Sequence, residues 1–222
     1  MSDKQYVVIG LGIFGSTIAT TLSEAGKEVL AIDRDMICVE RLADVVTKAV
    51  VADGTDIDQL KMLGVQEFDV AIVAIGDKLE ASILTVMNLK ELGVKRIVAK
   101  ARNKQFMQIL YKVGADEVVR PERDMGEKIA KRLLRNRIVD LVELDGGYSV
   151  VEMRAPSMWV GQSIKQLNIR AKYDFNIIGI KKAGTGQLMM SINPDALIHE
   201  DDQFVLVANT KNIENFDLIS DK

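Results

Sequence analysis

Three glycines at a fixed spacing, in Gly10-Leu11-Gly12-Ile13-Phe14-Gly15, are the strongest local signal in the sequence. They follow a short apolar run, Tyr6 to Ile9, and open a helix-like pattern, which is the context that gives GxGxxG its meaning. The chemistry on offer is that of backbone amides. Gly10 permits a tight turn, Gly12 lets the backbone approach a pyrophosphate closely, and Gly15 lets the helix pack on the sheet. The helix start adds free N–H groups and a partial positive charge, with Ile13 and Phe14 beside the anion they would hold.

Asp33 ends the second apolar run. An acid at this place is expected to hydrogen-bond ribose hydroxyls, against the alternative of a turn or helix-cap aspartate. Arg34 follows and could hold a 2′-phosphate, but Asp33 would repel that group, so NADP is not expected. The ends of later strands should line the same crevice. Asp53 and Gly54 end the third strand, with Asp53 placed to contact a base and Thr55 or Asp56 to cap the next helix. Ile75 and Gly76 end the fourth, where Ile75 would pack on a base and Gly76 would let backbone come close. Lys100 and Arg102 end the fifth and would put two cations near phosphates, although Arg102 reads equally well as a surface residue.

Apolar runs alternate with helical patterns through the first part of the chain. Strands are expected at Tyr6–Ile9, Glu28–Ile32, Ala49–Val51, Val70–Ala74, Ile97–Ala99 and Glu117–Val119. Helices are expected over Ile13–Glu24, Met36–Ala43, Ile57–Leu63, Leu79–Leu92 and Lys104–Lys112. Continuous apolar strands joined by helical crossovers predict an α/β domain, a Rossmann-type doubly wound parallel sheet. From Arg123 to Arg137 the sequence reads as one amphipathic helix. It has Met125, Ile129, Leu133 and Leu134 on one face and Lys128, Lys131, Arg132 and Arg135 elsewhere, a charge run best read as a solvated face.

Beyond it come short alternating strands at Val139–Leu144, Ser149–Met153, Phe175–Ile180, Leu188–Ser191 and Gln203–Ala208. Gly146-Gly147 and Gly184-Thr185-Gly186 suit hairpin loops. A second, smaller α+β domain is expected. The division is 1–122 for the nucleotide-binding domain, 123–137 for a connector helix and 138–222 for the second domain.

Composition narrows the function. With 48% hydrophobic residues the chain of 222 can bury a core, so general disorder is not expected. Its 29 Lys and Arg against 32 Asp and Glu leave a net charge of -3, which argues against a nucleic-acid partner. The lone cysteine, Cys38, excludes an internal disulfide and reads as boundary packing. The lone histidine, His199, stands in a loop beside Glu200, Asp201 and Asp202 and reads as solvated rather than as a metal ligand. Trp159 suits core packing or an interface. No secretory leader and no apolar stretch of about 20 residues are visible, so a cytoplasmic protein is expected.

Taken together, VIGLGIFG (Val8–Gly15), AIDRD (Ala31–Asp35), VADGTD (Val51–Asp56), VAIGDKLEAS (Val73–Ser82), VAKARN (Val98–Asn103), VGADEVVRPERDMG (Val113–Gly126) and LNIRAKYDFNIIGI (Leu167–Ile180) resemble one family. It is the KtrA/TrkA type of cytoplasmic regulatory subunit of bacterial potassium-uptake systems, built from an RCK (KTN) domain and a C-terminal RCK domain. The likeness covers nearly the whole chain. It implies a first domain that binds ATP, ADP or NAD(H), and a homo-oligomeric, dimer-based ring of eight copies beneath an integral-membrane potassium-translocating subunit.

The resemblance also implies residue roles. Asp33 would hold ribose, Asp53 and Ile75 would flank adenine, and Lys100 would meet phosphate. Glu122 would sit near the phosphates across a dimer contact and help bind a cation. Arg170, Ala171, Asn176 and Ile177, with Ile164, Ile169 and Pro194, resemble a site for cyclic di-AMP. The isoleucines would wall the bases, or else simply form the domain core. One departure stands out: many relatives carry arginine where this chain has Ile13, which removes a charge-assisted contact to a terminal phosphate.

The alternative reading, a small NAD-dependent oxidoreductase, needs a proton donor or acceptor facing the nicotinamide. The second half offers no evident residue for that, and no enzyme activity is expected.

Overall fold

The structure is a computed structural model, described here for residues 4–76, 78–134, 137–182, 184 and 186–219. The expected Arg135, at the end of the amphipathic helix, and Thr185, in a hairpin loop, lie outside the described residues. The chain divides into two compact units at Met125–Gly126.

The first unit holds six parallel strands: β1 (Gln5–Ile9), β2 (Glu28–Asp33), β3 (Lys48–Val51), β4 (Val70–Val73), β5 (Arg96–Lys100) and β6 (Glu117–Val119). Their order in the sheet is β3-β2-β1-β4-β5-β6. The chain therefore runs outward from β1 on one side, then returns and builds outward from β4 on the other. Between β1 and β4 lies the switch point, where loops diverge and leave an opening beyond the strand ends.

Helices α1 (Ile13–Glu24), α2 (Met36–Glu40), α3 (Ile57–Met62), α4 (Leu79–Glu91) and α5 (Lys104–Lys112) supply the crossovers. They explain why the strands read as unbroken apolar runs. On one face Val7, Ile9, Ile32 and Val73 pack with Leu60, Val86 and Leu89. On the other, Val8, Ala31 and Ile72 pack with Leu11, Ala19 and Val39. Both faces of the sheet are thus buried, so alternation has no place in it. Cys38 packs at the margin of the second cluster, half-buried.

Two helices differ from expectation. The helix expected over Met36–Ala43 stops at Glu40, and the following turns, closed by short-range bonds such as that from the Leu42 N–H to the Val39 carbonyl at 3.0 Å, bury Leu42 and Val46. The amphipathic helix, α6 (Pro121–Leu133), begins two residues earlier than Arg123. Proline suits the first helical position because its missing N–H would be unpaired there anyway. The shift places Glu122 in the first turn of α6.

The second unit is an antiparallel sheet of β7 (Ile138–Glu143), β8 (Tyr148–Arg154), β9 (Asn176–Lys181), β10 (Leu188–Met189) and β11 (Gln203–Asn209). The order is β10-β9-β11-β8-β7. Its buried face, with Val151, Met153, Ile180, Phe204 and Leu206, packs against α7 (Ile164–Leu167), α8 (Ile169–Tyr173) and α9 (Thr210–Ile219). Trp159 is fully buried and meets Phe204 edge-on at 5.4 Å between ring centroids, which makes it core rather than interface. Beneath the loop that carries the exposed His199, Asp202 is fully buried and paired with Lys182 at 2.6 Å. Among the described residues no helix is long and apolar enough to cross a membrane.

Candidate functional site

At the switch point a crevice of about 960 Å³ opens beyond the strand ends of the first unit. Each wall follows from its local sequence. Gly10 leaves β1 with a φ of 95°, a conformation other residues avoid, and its N–H donates to the Ile32 carbonyl at 2.8 Å. Gly15 faces back onto that turn, where an added Cβ would lie 1.9 Å from the Gly10 carbonyl oxygen. Gly12 has open space above it and lines the crevice with Ile13 and Phe14. The glycines divide the labour: two permit the turn and the packing, and one faces the opening.

Asp33, at the end of β2, also lines the crevice. Its carboxylate accepts the Leu11 N–H at 2.5 Å and the Asp35 N–H at 2.9 Å. Asp35 caps α2, so Asp33 is left as a brace on the glycine loop, and each of its oxygens can accept a further bond.

Arg34 and Asp53 pair across the crevice wall at 2.6 Å. Thr55 joins them: its N–H and hydroxyl donate to Asp53 at 2.8 and 2.7 Å, and its oxygen accepts from Arg34 at 3.0 Å. Burial pushes the Asp53 carboxyl up, but the bonds from Thr55 and Arg34 outweigh it and leave the group below its ordinary value. Thr55 itself does not line the crevice, and Asp56 is the residue that caps α3. Gly54 lines it and is required for packing, since an added Cβ would come within 2.6 Å of Ile9.

On the other side of the switch point, Ile75 and Gly76 line the crevice after β4; Asp77, next in the sequence motif, lies outside the described residues. Lys100, at the end of β5, is largely buried and pairs with Glu122 of α6 at 2.6 Å. Its ammonium also stands 5.7 Å from the Phe14 ring centroid. The hydrogen bond from Lys100 holds the Glu122 carboxyl below its usual value.

Arg102 is exposed and outside the lining, as its surface reading had it. Among the described residues no group of three or more His, Cys, Asp or Glu side chains could hold a metal ion, and Glu122 is engaged by Lys100. Lining residues not assigned to the site from the sequence include Thr17, Lys78, Ala81, Pro121 and Met125. Thr17 lies one helical turn beyond Ile13, which was the available clue; the others depend on where α4 and α6 begin.

The second-unit residues fall into two groups. Arg170, Ala171, Asn176 and Pro194 are exposed, and Ile164 and Ile177 are half-buried against the core. Ile169 is 2% exposed and belongs to the core outright. It therefore fills the packing role that was the alternative for the isoleucines, and offers no wall to a ligand.

A doubly wound unit with a nucleotide-sized crevice at its switch point, followed by a small antiparallel α+β unit, defines a two-domain protein of the nucleotide-crevice class. The particular family follows from comparison. Residues 6–121 match the TrkA-N domain and residues 149–219 the TrkA-C domain. The chain is 42% identical over 214 residues to Ktr system potassium uptake protein C of Bacillus subtilis, covering 96% of each chain. It is 40% identical to Ktr system potassium uptake protein A of the same organism, covering 98% of this chain and 97% of that one. Among solved structures, the GsuK channel bound to NAD shares the fold, with a TM-score of 0.66 and 17% identity, over 99% of this chain and 40% of that one. The chain belongs to the TrkA/Ktr family of potassium-uptake proteins, as the resemblance of its motifs implied. The full-length relatives are potassium-uptake proteins and not dehydrogenases, which sets the oxidoreductase alternative aside.

Proposed function

We propose that the protein is the nucleotide-sensing regulatory subunit of a potassium-uptake system. The observation that carries this reading is the full-length likeness to the two Bacillus subtilis Ktr proteins, joined to a crevice of about 960 Å³ lined by the glycine loop and Asp33. ATP, ADP or NAD(H) would lie across the switch point. Asp33 meets the ribose, Asp53 and Ile75 flank the adenine, and the first-turn amides of α1 meet the pyrophosphate. Lys100 reaches the far phosphate. A cation there would bind Glu122 together with phosphate oxygens and groups from a second subunit.

In this reading residues 1–122 sense the nucleotide, 123–137 connect, and 138–222 form the second domain. Copies pair into a dimer-based ring, an octamer, at the cytoplasmic face of an integral-membrane potassium-translocating subunit, and nucleotide exchange alters the ring. The exposed stripe of Met125, Ile129, Leu133 and Leu134 supports assembly, because α6 buries none of its residues within its own chain. The second domain would bind cyclic di-AMP through Arg170, Ala171, Asn176 and Pro194. A two-fold ligand suits a site made from two copies.

The test is potassium uptake. Co-expressed with its membrane subunit in bacteria lacking other uptake systems, the protein should restore growth at low potassium, and Asp33→Ala should abolish its nucleotide response. A light-scattering mass of one chain with nucleotide present at micromolar protein would defeat the ring.

A further inference from the structure

We propose that Asn88, on α4, is a positioning residue for base recognition: it fixes the turn after β3 so that one oxygen of the Asp53 carboxylate stays open to the amino group of the base. This role rests on the reading of the crevice as an adenine-nucleotide site and concerns its base end alone.

The two oxygens of Asp53 are not equivalent. Oδ1 accepts three bonds, from the Arg34 guanidinium at 2.6 Å, the Thr55 N–H at 2.8 Å and the Thr55 hydroxyl at 2.7 Å. Among the described residues Oδ2 accepts none. Asp53 lines the crevice with its side chain 33% exposed, so Oδ2 is the oxygen left for a ligand. An ionised carboxylate can only accept, and the matching group on the ligand is therefore a donor. On adenine that donor is the 6-amino group. With Oδ1 tied to three donors the carboxylate cannot swing, and Oδ2 keeps one direction.

Two of those three donors belong to Thr55, so the carboxylate is only as fixed as Thr55. Asn88 holds that residue: its amide donates to the Thr55 carbonyl at 3.0 Å and stands 3.5 Å from the Gly54 carbonyl. Thr85, about one turn earlier on α4, lies just as close to the turn, since an added Cβ on Gly54 would stand 3.2 Å from its hydroxyl. That hydroxyl is buried and makes no hydrogen bond among the described residues. On its other side the turn is tied to α3, where the Asp53 N–H donates to the Gln59 side-chain oxygen at 2.9 Å. The turn is thus pinned by α3 at Asp53 and by α4 at Thr55. Local preference does not call for asparagine here. Position 88 lies inside α4 between Met87 and Leu89, where leucine would favour the helix more.

The experiment is titration calorimetry of the full chain with ADP and with purine riboside 5′-diphosphate, which lacks only the 6-amino group. The unaltered protein should bind ADP about tenfold or more tighter, as for a hydrogen bond to a charged group. Asn88→Leu keeps the branched shape and removes the donor. It should bring the ratio down to about threefold or less, while affinity for the purine riboside nucleotide changes by less than about twofold. Asn88→Ala, which adds no bulk, should do the same, and thermal unfolding checks that both variants fold. A ratio near one in the unaltered protein overturns the open oxygen without any variant. A ratio that neither variant moves, or an equal loss for both nucleotides, overturns the positioning role. Loss of folding in both variants overturns it too, since Asn88 would then hold the domain rather than the base. If neither diphosphate binds, the role falls; if NADH and ATP do not bind either, the adenine-nucleotide reading of the crevice falls with it.

Discussion

The backbone N–H of Leu11 donates to the Asp33 carboxylate at 2.5 Å, tying the glycine loop after β1 to the end of β2. The acid expected to meet ribose therefore also holds the loop that meets phosphate. Removing it should cost twice. Asp33→Ala is expected to weaken the preferred nucleotide by about 1.5–3 kcal/mol, as for a lost hydrogen bond to a charged group, and to destabilise the first unit by about 1–3 kcal/mol. Calorimetry and urea unfolding measure the two separately. An unchanged affinity would refute the ribose role, and an unchanged midpoint the brace.

The glycines of the loop make different demands. Gly12→Ala meets nothing within 4 Å, so stability should stay within about 0.5 kcal/mol while nucleotide binding falls sharply, because the new methyl occupies the path of the pyrophosphate. Gly15→Ala puts its methyl 1.9 Å from the Gly10 carbonyl oxygen, and should destabilise the unit by about 1–3 kcal/mol or more before any ligand is added. Thermal unfolding of the two variants side by side tests the contrast. Equal losses of stability would show that Gly12 is also a packing residue.

This contrast also marks what was legible in the sequence. Motif context assigned the glycine loop because Gly10 and Gly15 are constrained by backbone alone, and backbone demands leave a sequence signature. The six parallel strands were legible because burial on both faces leaves unbroken apolar runs. The Arg34–Asp53–Thr55 triad and the Lys100–Glu122 pair were not, since each joins strand ends that only the sheet order brings together. In the second unit, α7 and α8 are too short to show a helical period, and left-handed Asn168, with φ of 46°, separates them. The α9 helix had a readable signal in the spacing of Ile213 and Phe216, both buried, but lacks an apolar run to draw attention.

Asp53 supplies a pH dependence whose sign is fixed. Its folded carboxyl lies below the ordinary 3.8, so its pairing stabilises the first unit above that value and is lost as pH falls through the folded one. Unfolding free energies measured between about pH 6 and pH 3 should fall less steeply for Asp53→Asn than for the unaltered protein. Superimposable pH profiles would mean that the pair with Arg34 adds nothing in solution, as for many exposed ion pairs.

Arg170 and Ile169 are neighbours in sequence with opposite exposures, and they separate ligand binding from folding in the second unit. Arg170 projects into solvent, so Arg170→Ala should leave stability within about 0.5 kcal/mol. If the surface binds cyclic di-AMP, the same change should weaken that ligand by about 1.5–3 kcal/mol through the lost contact to a phosphate. Ile169→Ala empties a core position beside α7 and β9 and should destabilise by about 2–5 kcal/mol. Its effect on the ligand should then appear only as the unit loosens. Titrating cyclic di-AMP into both variants, with unfolding curves alongside, decides between the surface and core readings. If the unaltered protein takes up no ligand at high micromolar concentration, Arg170 has no phosphate to hold and the second unit is left with assembly alone.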